Sequence, residues 1–374
     1  FNGSVRREYP TPTFERFPGA SDAVKLRDWQ KRGAMRAVQE GTLLAHTVGT
    51  GKTFTLITAA MEMRRLKTAN KPMIVVQNST LTQFANSFRK LYPAARLLVA
   101  NQKATKGDKR KAFLARIATG DWDAVVIPIS FFERIENDPE RESAYVQELL
   151  DNLEAMIREA ESKQGENYTG KAKSPLGKQL ERSKKRLEAR MDRILSRMKQ
   201  KTDKVINFEN MGVDALLVDE AHNFKRGDFF TKMDRIKGLD TNGSDRSMDF
   251  FLKTRWIQLR SPERNVVLAT GTPISNTVAE LWTMLRYIRP ELLKSFNVET
   301  FDDFVGTFAS VKATLEETPT GGFSQVLRLA RYANGPEIGQ LWRAAADVYI
   351  LNREDFEKMQ INVLFFDGAE TTEI

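Results

Sequence analysis

The sequence predicts an α/β fold with a mostly parallel central sheet, and three observations carry that prediction. Six short runs, at residues 43–45, 72–76, 96–100, 124–127, 214–218 and 265–269, are nearly all apolar, and helical patterns separate them. Strands without polar alternation belong in a sheet covered on both faces, as parallel sheets are. A Gly-rich turn joins the first run to the helix after it, and the run at 214–218 ends abruptly in two carboxylates. Open parallel sheets gather ligand chemistry at the carboxyl ends of their strands.

Composition narrows the chemistry. The 374 residues suffice for one large or two ordinary domains. No stretch approaches the roughly 20 apolar residues of a membrane span, and no signal pattern opens the chain, so a cytoplasmic protein is expected. The absence of cysteine excludes disulfides, iron–sulfur clusters and thiolate zinc sites, and two histidines make a histidine metal centre improbable. A net charge of +9 suits a partner bearing phosphates, or simply a basic protein.

Residues 1–25, with Pro10, Pro12, Pro18 and Gly19, read as an irregular lead. Leu26-Arg27-Asp28-Trp29-Gln30 opens a helix to about residue 39. Gln30 could hydrogen-bond an adenine edge; taken alone, an exposed helical glutamine is the simpler reading. The strand at 43–45 then meets Gly49-Thr50-Gly51-Lys52-Thr53 at a helix start. Glycines let backbone N–H groups close around a polyphosphate, and the helix N-terminus adds positive potential. Lys52 would reach the β- and γ-phosphates of a nucleotide and the Thr53 hydroxyl would ligand Mg²⁺. Where the strict pattern has glycine six residues before the lysine, this chain has His46.

After the strand at 72–76 comes the turn Asn78-Ser79-Thr80 and a helix with Leu81, Phe84, Phe88 and Leu91 on one face, stopped by Pro93. Residues 101–111 form a basic loop or helix start, and the strand at 124–127 runs into Ser130-Phe131-Phe132. Residues 133–204 break the rhythm. A mostly acidic helix at 140–161 buries Val146, Leu149, Leu150, Leu153, Met156, Ile157 and Ala160, and a mostly basic one carries Leu180, Leu187, Met191, Ile194 and Met198 near a seven-residue repeat. An antiparallel hairpin is expected. Its basic helix either contacts nucleic acid or, the favoured reading, pairs with the acidic helix and solvent.

The strand at 214–218 ends in Asp219-Glu220-Ala221-His222. There Asp219 would hold Mg²⁺ and Glu220 would orient and deprotonate an attacking water. Both histidines thus fall inside candidate nucleotide motifs. Residues 224–247, rich in Gly, Asp and Lys, look mobile. A helix over 248–259 and a strand at 265–269 follow, and the strand ends in Thr270-Gly271-Thr272-Pro273, a turn able to sense a phosphate or carboxylate. The helix at 280–289 turns Leu281, Trp282, Leu285 and Ile288 inward.

The order of these motifs resembles superfamily 2 nucleic-acid motors, and most closely the SWI/SNF-type DNA translocases. Leu26 to Gln30 resembles their adenine-reading glutamine motif. Gln77-Asn78-Ser79-Thr80-Leu81 resembles the motif written with Ser-Thr-Leu, and Asp219-Glu220-Ala221-His222 the DEAH box. Thr270-Gly271-Thr272-Pro273-Ile274-Ser275-Asn276 followed by Glu280-Leu281-Trp282 is the most specific match. The resemblance implies a RecA-like ATPase lobe built from 26–132 and 205–290. It assigns adenine to Gln30, phosphate binding to Gly49, Thr50, Gly51, Lys52 and Thr53, Mg²⁺ to Thr53 and Asp219, and hydrolysis of ATP to Lys52, Asp219 and Glu220. His222, Thr270, Gly271 and Thr272 would couple nucleotide state to DNA. Ser79, Thr80 and Ser130 would lie near the backbone of duplex DNA.

It also implies that 291–374 is a helical connector, with helical patterns around 323–332 and 338–350 and a strand at 361–366, leading to a second RecA-like lobe with an arginine finger. With no initiator Met, the chain is expected to be a weakly active piece of a longer polypeptide. A type I restriction-like motor, whose subunits also carry a histidine at the position of His46, is one alternative. A DNA- or partner-binding module with a vestigial ATPase is another.

Overall fold

The structure, a computed structural model, describes residues 16–100, 107–162, 175–199, 206–227, 229–233, 236, 244–275, 277–317 and 323–351. Its elements follow the chain as α1 (Asp28–Gln39), β1 (Thr42–His46), α2 (Lys52–Arg65), β2 (Pro72–Val76), α3 (Leu81–Leu91), β3 (Leu97–Val99), α4 (Gly107–Thr119), β4 (Ala124–Pro128), α5 (Ile129–Phe132), α6 (Pro139–Ser162), α7 (Pro175–Lys199), β5 (Ala215–Val218), α8 (Asp245–Arg260), β6 (Val266–Thr270), α9 (Val278–Ile288), α10 (Pro290–Ser295), α11 (Phe301–Phe308), β7 (Ala309–Glu317), β8 (Phe323–Tyr332), α12 (Gly335–Ala345) and β9 (Ala346–Tyr349).

Seven strands form one sheet in the order β3-β4-β2-β5-β6-β1-β9. Every pairing in it is parallel. The predicted α/β class and mostly parallel sheet are therefore what the chain forms. Alternate residues of each strand point to opposite faces, and both faces are buried in the inner strands β4, β2, β5, β6 and β1. Leu216 and Val218 of β5, with Val266 and Leu268 of β6, join a core built with α8, α9 and α11. Ala215 and Leu217, with Val267 and Ala269, join a second core under α1, α2 and α3. A strand buried on both sides must be apolar throughout, which is why these runs carry no alternation.

The hairpin of α6 and α7 is antiparallel. Glu142 near the start of α6 meets Arg190 and Arg197 late in α7, while Glu154 further along α6 meets Lys184 earlier in α7. Val146, Leu149, Leu150 and Leu153 pack on Leu180, Leu187 and Ile194 in a separate small core. Met198, expected on that face, is exposed because the helix pair has ended there. The basic helix does pair with the acidic one, and it also reaches α8: Arg190 lies 3.1 Å from Asp245 and 2.5 Å from Asp249.

The region after residue 290 differs from the expected helical connector. Residues 323–332 form β8, paired antiparallel with β7, with Val311 opposite Leu329 and Ala313 opposite Leu327. The period-two alternation of Leu327 and Leu329 with Arg328 marks a strand, and it outweighed the helical spacing read from the sequence. The helix expected over 338–350 stops at Ala345, and β9 then joins the main sheet beside β1. This stretch adds the strand beyond β1 to the main sheet. Arg36 of α1 fastens it by donating to the Ala346 carbonyl at 2.6 Å and the Arg343 carbonyl at 2.7 Å. The segment at 224–247, expected to be mobile, supplies Phe224 and Phe229 to the core. Phe17 and Ala20 of the irregular lead are buried too. Residues 1–15, 101–106 and 163–174, Asn276 and the strand expected at 361–366 lie outside the described residues. Among the described residues, no helix is long and apolar enough to cross a membrane.

Candidate active site

The parallel sheet brings the carboxyl ends of β1, β5 and β6 side by side, since β6 pairs with both neighbours. Three sequence-distant motifs thereby meet. The loop after β1 begins at fully buried His46 and runs through Thr47, Val48, Gly49 and Thr50 to Gly51, which precedes α2. Gly49 and Gly51 take φ of 91° and 78°, the left-handed region that favours glycine. A Cβ on Gly51 would also sit 2.3 Å from Gln30 Nε2. Gly51 is thus required both by backbone conformation and by space.

Lys52 opens α2 and its ammonium turns back over the loop, donating to the carbonyls of His46 at 2.9 Å and Thr47 at 3.3 Å. Burial lowers its pKa, while the nearby carboxylates of Glu220 and Asp219 act to raise it. Asp219, the first residue past β5, is pushed up to about 6 by burial and by Glu220, against the Glu220 N–H and the Lys52 charge. Two carboxylates beside one lysine leave surplus negative charge in a buried place. A hard divalent cation is what such a donor set fits, and the Thr53 hydroxyl on the second residue of α2 is a further oxygen donor. Among the described residues, no three His, Cys, Asp or Glu side chains form a closed metal cage.

Glu220 adopts a left-handed conformation with φ of 52°, and its N–H donates to Asp219 Oδ1 at 3.0 Å. A non-glycine residue held there is strained, on the order of 1–3 kcal/mol. The turn separates the two carboxylates, leaving Asp219 buried and Glu220 half-buried. His222 Nδ1 lies 3.1 Å from Glu220 Oε2 and 3.4 Å from the hydroxyl of buried Thr270 at the end of β6. Thr270 Oγ1 in turn accepts from the Thr272 N–H at 3.1 Å. Gly271 faces the phosphate loop, where a Cβ would stand 3.1 Å from Val48 Cγ2. Glu280 fastens this turn, accepting from the Ser275 N–H at 2.6 Å and pairing with Lys225 at 3.3 Å.

Gln30 is buried, in contrast to the simple reading of it as exposed. Its Oε1 accepts from the Arg27 N–H at 2.8 Å, and its Nε2 donates to the carbonyls of Thr50 at 3.2 Å and Gly51 at 3.1 Å. The glutamine therefore braces the phosphate loop. Ser79 and Thr80 after β2 and Ser130 after β4 also come together, because β2 and β4 are paired and the Ser130 N–H donates to Asn78 Oδ1 at 3.3 Å. β2 pairs with β5, whose end carries Asp219, while β5 and β6 separate this turn from the loop after β1.

Residues on β9 reach this site without having been read from the sequence. Asp347 Oδ2 is 2.7 Å from His46 Nε2, and Tyr349 stacks on Trp29 with ring centroids 4.4 Å apart. Their signal was Val348-Tyr349-Ile350, a β-branched and aromatic run directly after a helix. Burial would raise the Asp347 carboxyl, but the His46 hydrogen bond and the charges of His46, Arg32 and Arg36 hold it below the usual range.

A family model described as a probable helicase domain matches residues 34–349. The defense against restriction protein B of Escherichia phage P1 is 28% identical over 159 residues, which are 40% of this chain and 7% of that protein. The chromatin-remodeling ATPase INO80 of Homo sapiens is 32% identical over 118 residues, 30% of this chain and 7% of the relative. The chain thus spans about 7% of the length of these curated relatives. Among solved structures, the SWI2/SNF2 ATPase core domain of Sulfolobus solfataricus aligns with a TM-score of 0.44 at 13% identity, over 90% of this chain and 46% of that one. The same organism's core in complex with dsDNA aligns with a TM-score of 0.39 at 14% identity, over 79% and 41%. The family match and the chromatin-remodeling relatives bear out the resemblance to SWI/SNF-type motors.

Proposed function

The chain belongs to the probable helicase domain family, and on that premise we propose that it binds ATP with Mg²⁺ and hydrolyses it to drive movement along duplex DNA. The observation that carries this reading is the convergence of Lys52, Asp219 and Glu220 at the ends of β1 and β5, with the strained Glu220 turn presenting one carboxylate to solvent and burying the other.

The loop N–H groups and Lys52 bind the β- and γ-phosphates, and Gln30, beside the loop, meets the adenine. Thr53 and Asp219 hold Mg²⁺, which neutralises phosphate charge when bound. Glu220 accepts a hydrogen bond from water and takes its proton during in-line attack on the γ-phosphorus. His222 and Thr270 relay the state of Glu220 to the turn at Thr272, and Ser79, Thr80 and Ser130 contact the DNA backbone. A second RecA-like lobe supplies an arginine finger. Such a residue contributes on the order of 10³–10⁵ in rate in related hydrolases, so this lobe alone turns over slowly. The work is cytoplasmic.

The test is ATPase rate with and without duplex DNA, for this chain and for a longer one carrying the following lobe, each beside Glu220→Gln. DNA-stimulated turnover in the longer protein, lost in the variant, supports the motor. If the longer protein binds DNA tightly and shows no turnover above its own Glu220→Gln control, the motor reading fails and a binding module takes its place.

A further inference from the structure

His46 stands where a phosphate loop ordinarily has glycine, and it is wholly buried at the end of β1. An imidazole there needs a polar partner. It has one across the sheet: Nε2 lies 2.7 Å from Asp347 Oδ2 on β9. Asp347 is itself buried and is flanked by Arg32 Nε at 3.5 Å and Arg36 Nη1 at 4.0 Å, both from α1. Gly33 on the same helix makes room for the pair. A Cβ there would stand 3.1 Å from Asp347 Oδ2 and 3.2 Å from His46 Cε1. Glycine inside a helix costs roughly 0.5–1 kcal/mol relative to alanine, so its presence here answers a packing need.

The constraint continues into the loop. The His46 carbonyl is the nearer acceptor of the Lys52 ammonium, at 2.9 Å. The Thr47 N–H donates to the Tyr349 carbonyl at 3.0 Å, and the Leu351 N–H donates to Thr47 Oγ1 at 3.2 Å. At the far end of the loop, Trp29 lies on Tyr349 with an interplanar angle of 13°, and its Nε1–H holds the Thr50 carbonyl at 3.1 Å. Both ends of the phosphate loop are therefore referenced to β9.

Given the nucleotide reading above, on which this rests, we propose that Asp347, acting through His46, is a positioning residue for the phosphate loop, and that β9 is part of the nucleotide site. Asp347 touches no phosphate. It sets the angle at which β1 delivers the loop, and with it the direction of the loop N–H groups and the reach of Lys52. Misplacement of about 1 Å in such a site can cost on the order of 100-fold in function.

The experiment measures the Kd of Mg·ATPγS by calorimetry, and Tm without nucleotide, for the parent chain, Lys52→Ala, Asp347→Ala, Asp347→Asn and Gly33→Ala. Asparagine keeps an acceptor oxygen for His46 Nε2–H. Gly33→Ala removes no polar group, improves helix propensity and presses directly on the pair. The expected result is a Kd raised about tenfold or more by Asp347→Ala, recovered to within about threefold of parent by Asp347→Asn, and raised several-fold by Gly33→Ala with Tm within a few degrees of parent, the helix gain offsetting the crowding. If Gly33→Ala keeps its Tm and binds as tightly as the parent, the pair is structural only and the proposal is overturned, even where Asp347→Ala does not fold. The Lys52→Ala arm separates the two failures. If it binds like the parent, or if the parent does not bind, the nucleotide reading itself is lost; if it alone loses binding, only the role of Asp347 is.

Discussion

His222 Nδ1 lies within 3.4 Å of Thr270 Oγ1, joining the ends of two neighbouring strands, β5 and β6, through side chains from two separate motifs. The same nitrogen is 3.1 Å from Glu220 Oε2, so a change at that carboxylate reaches Thr270 through one ring. Thr270→Val keeps the shape and removes the hydroxyl. The expected outcome is a loss of about tenfold in DNA-stimulated turnover of the two-lobe protein with the Kd for Mg·ATP held within about twofold, since each hydrogen bond contributes on the order of 1 kcal/mol. Parallel ATPase and calorimetric titrations check it.

In the proposed mechanism, Lys52 and Glu220 separate binding from chemistry. Lys52→Ala should weaken Mg·ATP binding by at least about tenfold, because it removes the charge buried against the phosphates. Glu220→Gln should leave binding within a few-fold and reduce turnover by about 10²–10⁴, the usual worth of a general base. Equal losses of binding in both variants would contradict the division of roles.

Gln30 braces the loop by donating to the Thr50 and Gly51 carbonyls and accepting from the Arg27 N–H. Gln30→Ala leaves those groups short of partners beneath the phosphate loop. A stability loss of about 1–3 kcal/mol in urea unfolding is expected, together with weaker ATP binding. Unchanged stability would mean that the brace contributes nothing.

Asp219 carries a pH signature. Burial and Glu220 push its pKa up to about 6 from the ordinary carboxylate value of 3.8, so between those values the folded state binds more protons than the unfolded one. Stability of the metal-free protein therefore falls as pH rises through that window, by up to about 3 kcal/mol, and the cost is fully present above pH 6. Asp219→Asn removes the charge and keeps an acceptor for the Glu220 N–H. The variant should melt higher than the parent at pH 7.5 and match it near pH 4, as pH-resolved thermal unfolding would show.

Arg190 fastens the hairpin to α8. It is buried with Glu142, Asp245 and Asp249 around it, and although burial acts to lower its pKa, those carboxylates raise it above the ordinary arginine value. Arg190→Leu removes the buried cation that Glu142, Asp245 and Asp249 share, leaving Arg197 beside Glu142 and Arg193 beside Asp245. A loss of about 3–5 kcal/mol is expected in denaturant unfolding, as for other broken buried pairs. A near-neutral result would show that the hairpin docks through its apolar core alone.

Much of this was legible along the chain. Strands buried on both faces announce themselves as unbroken apolar runs, so the six strands from β1 to β6 and the α/β class could be read directly. The candidate site was legible for a related reason: Gly51, Lys52, Asp219 and Thr270 each stand at a strand end or helix start, where local geometry restricts residue type. The β7–β8 ribbon and β9 were misread as helix. Val326, Leu329 and Ala330 fit one face of a helix while Leu327 and Leu329 fit a period of two, and β9 is only four residues long.

The sequence by itself determined the elements that must bury apolar side chains or bend at glycine, because those demands are local. The tertiary structure alone decided which strand ends stand together. It put Asp347 beside His46 across 301 positions of chain and turned Gln30 onto the phosphate loop. A hydrogen bond between distant residues leaves no periodicity behind. Each partner satisfies the other only after the sheet order β6-β1-β9 has formed, so the pairing exists in the fold and nowhere along the chain.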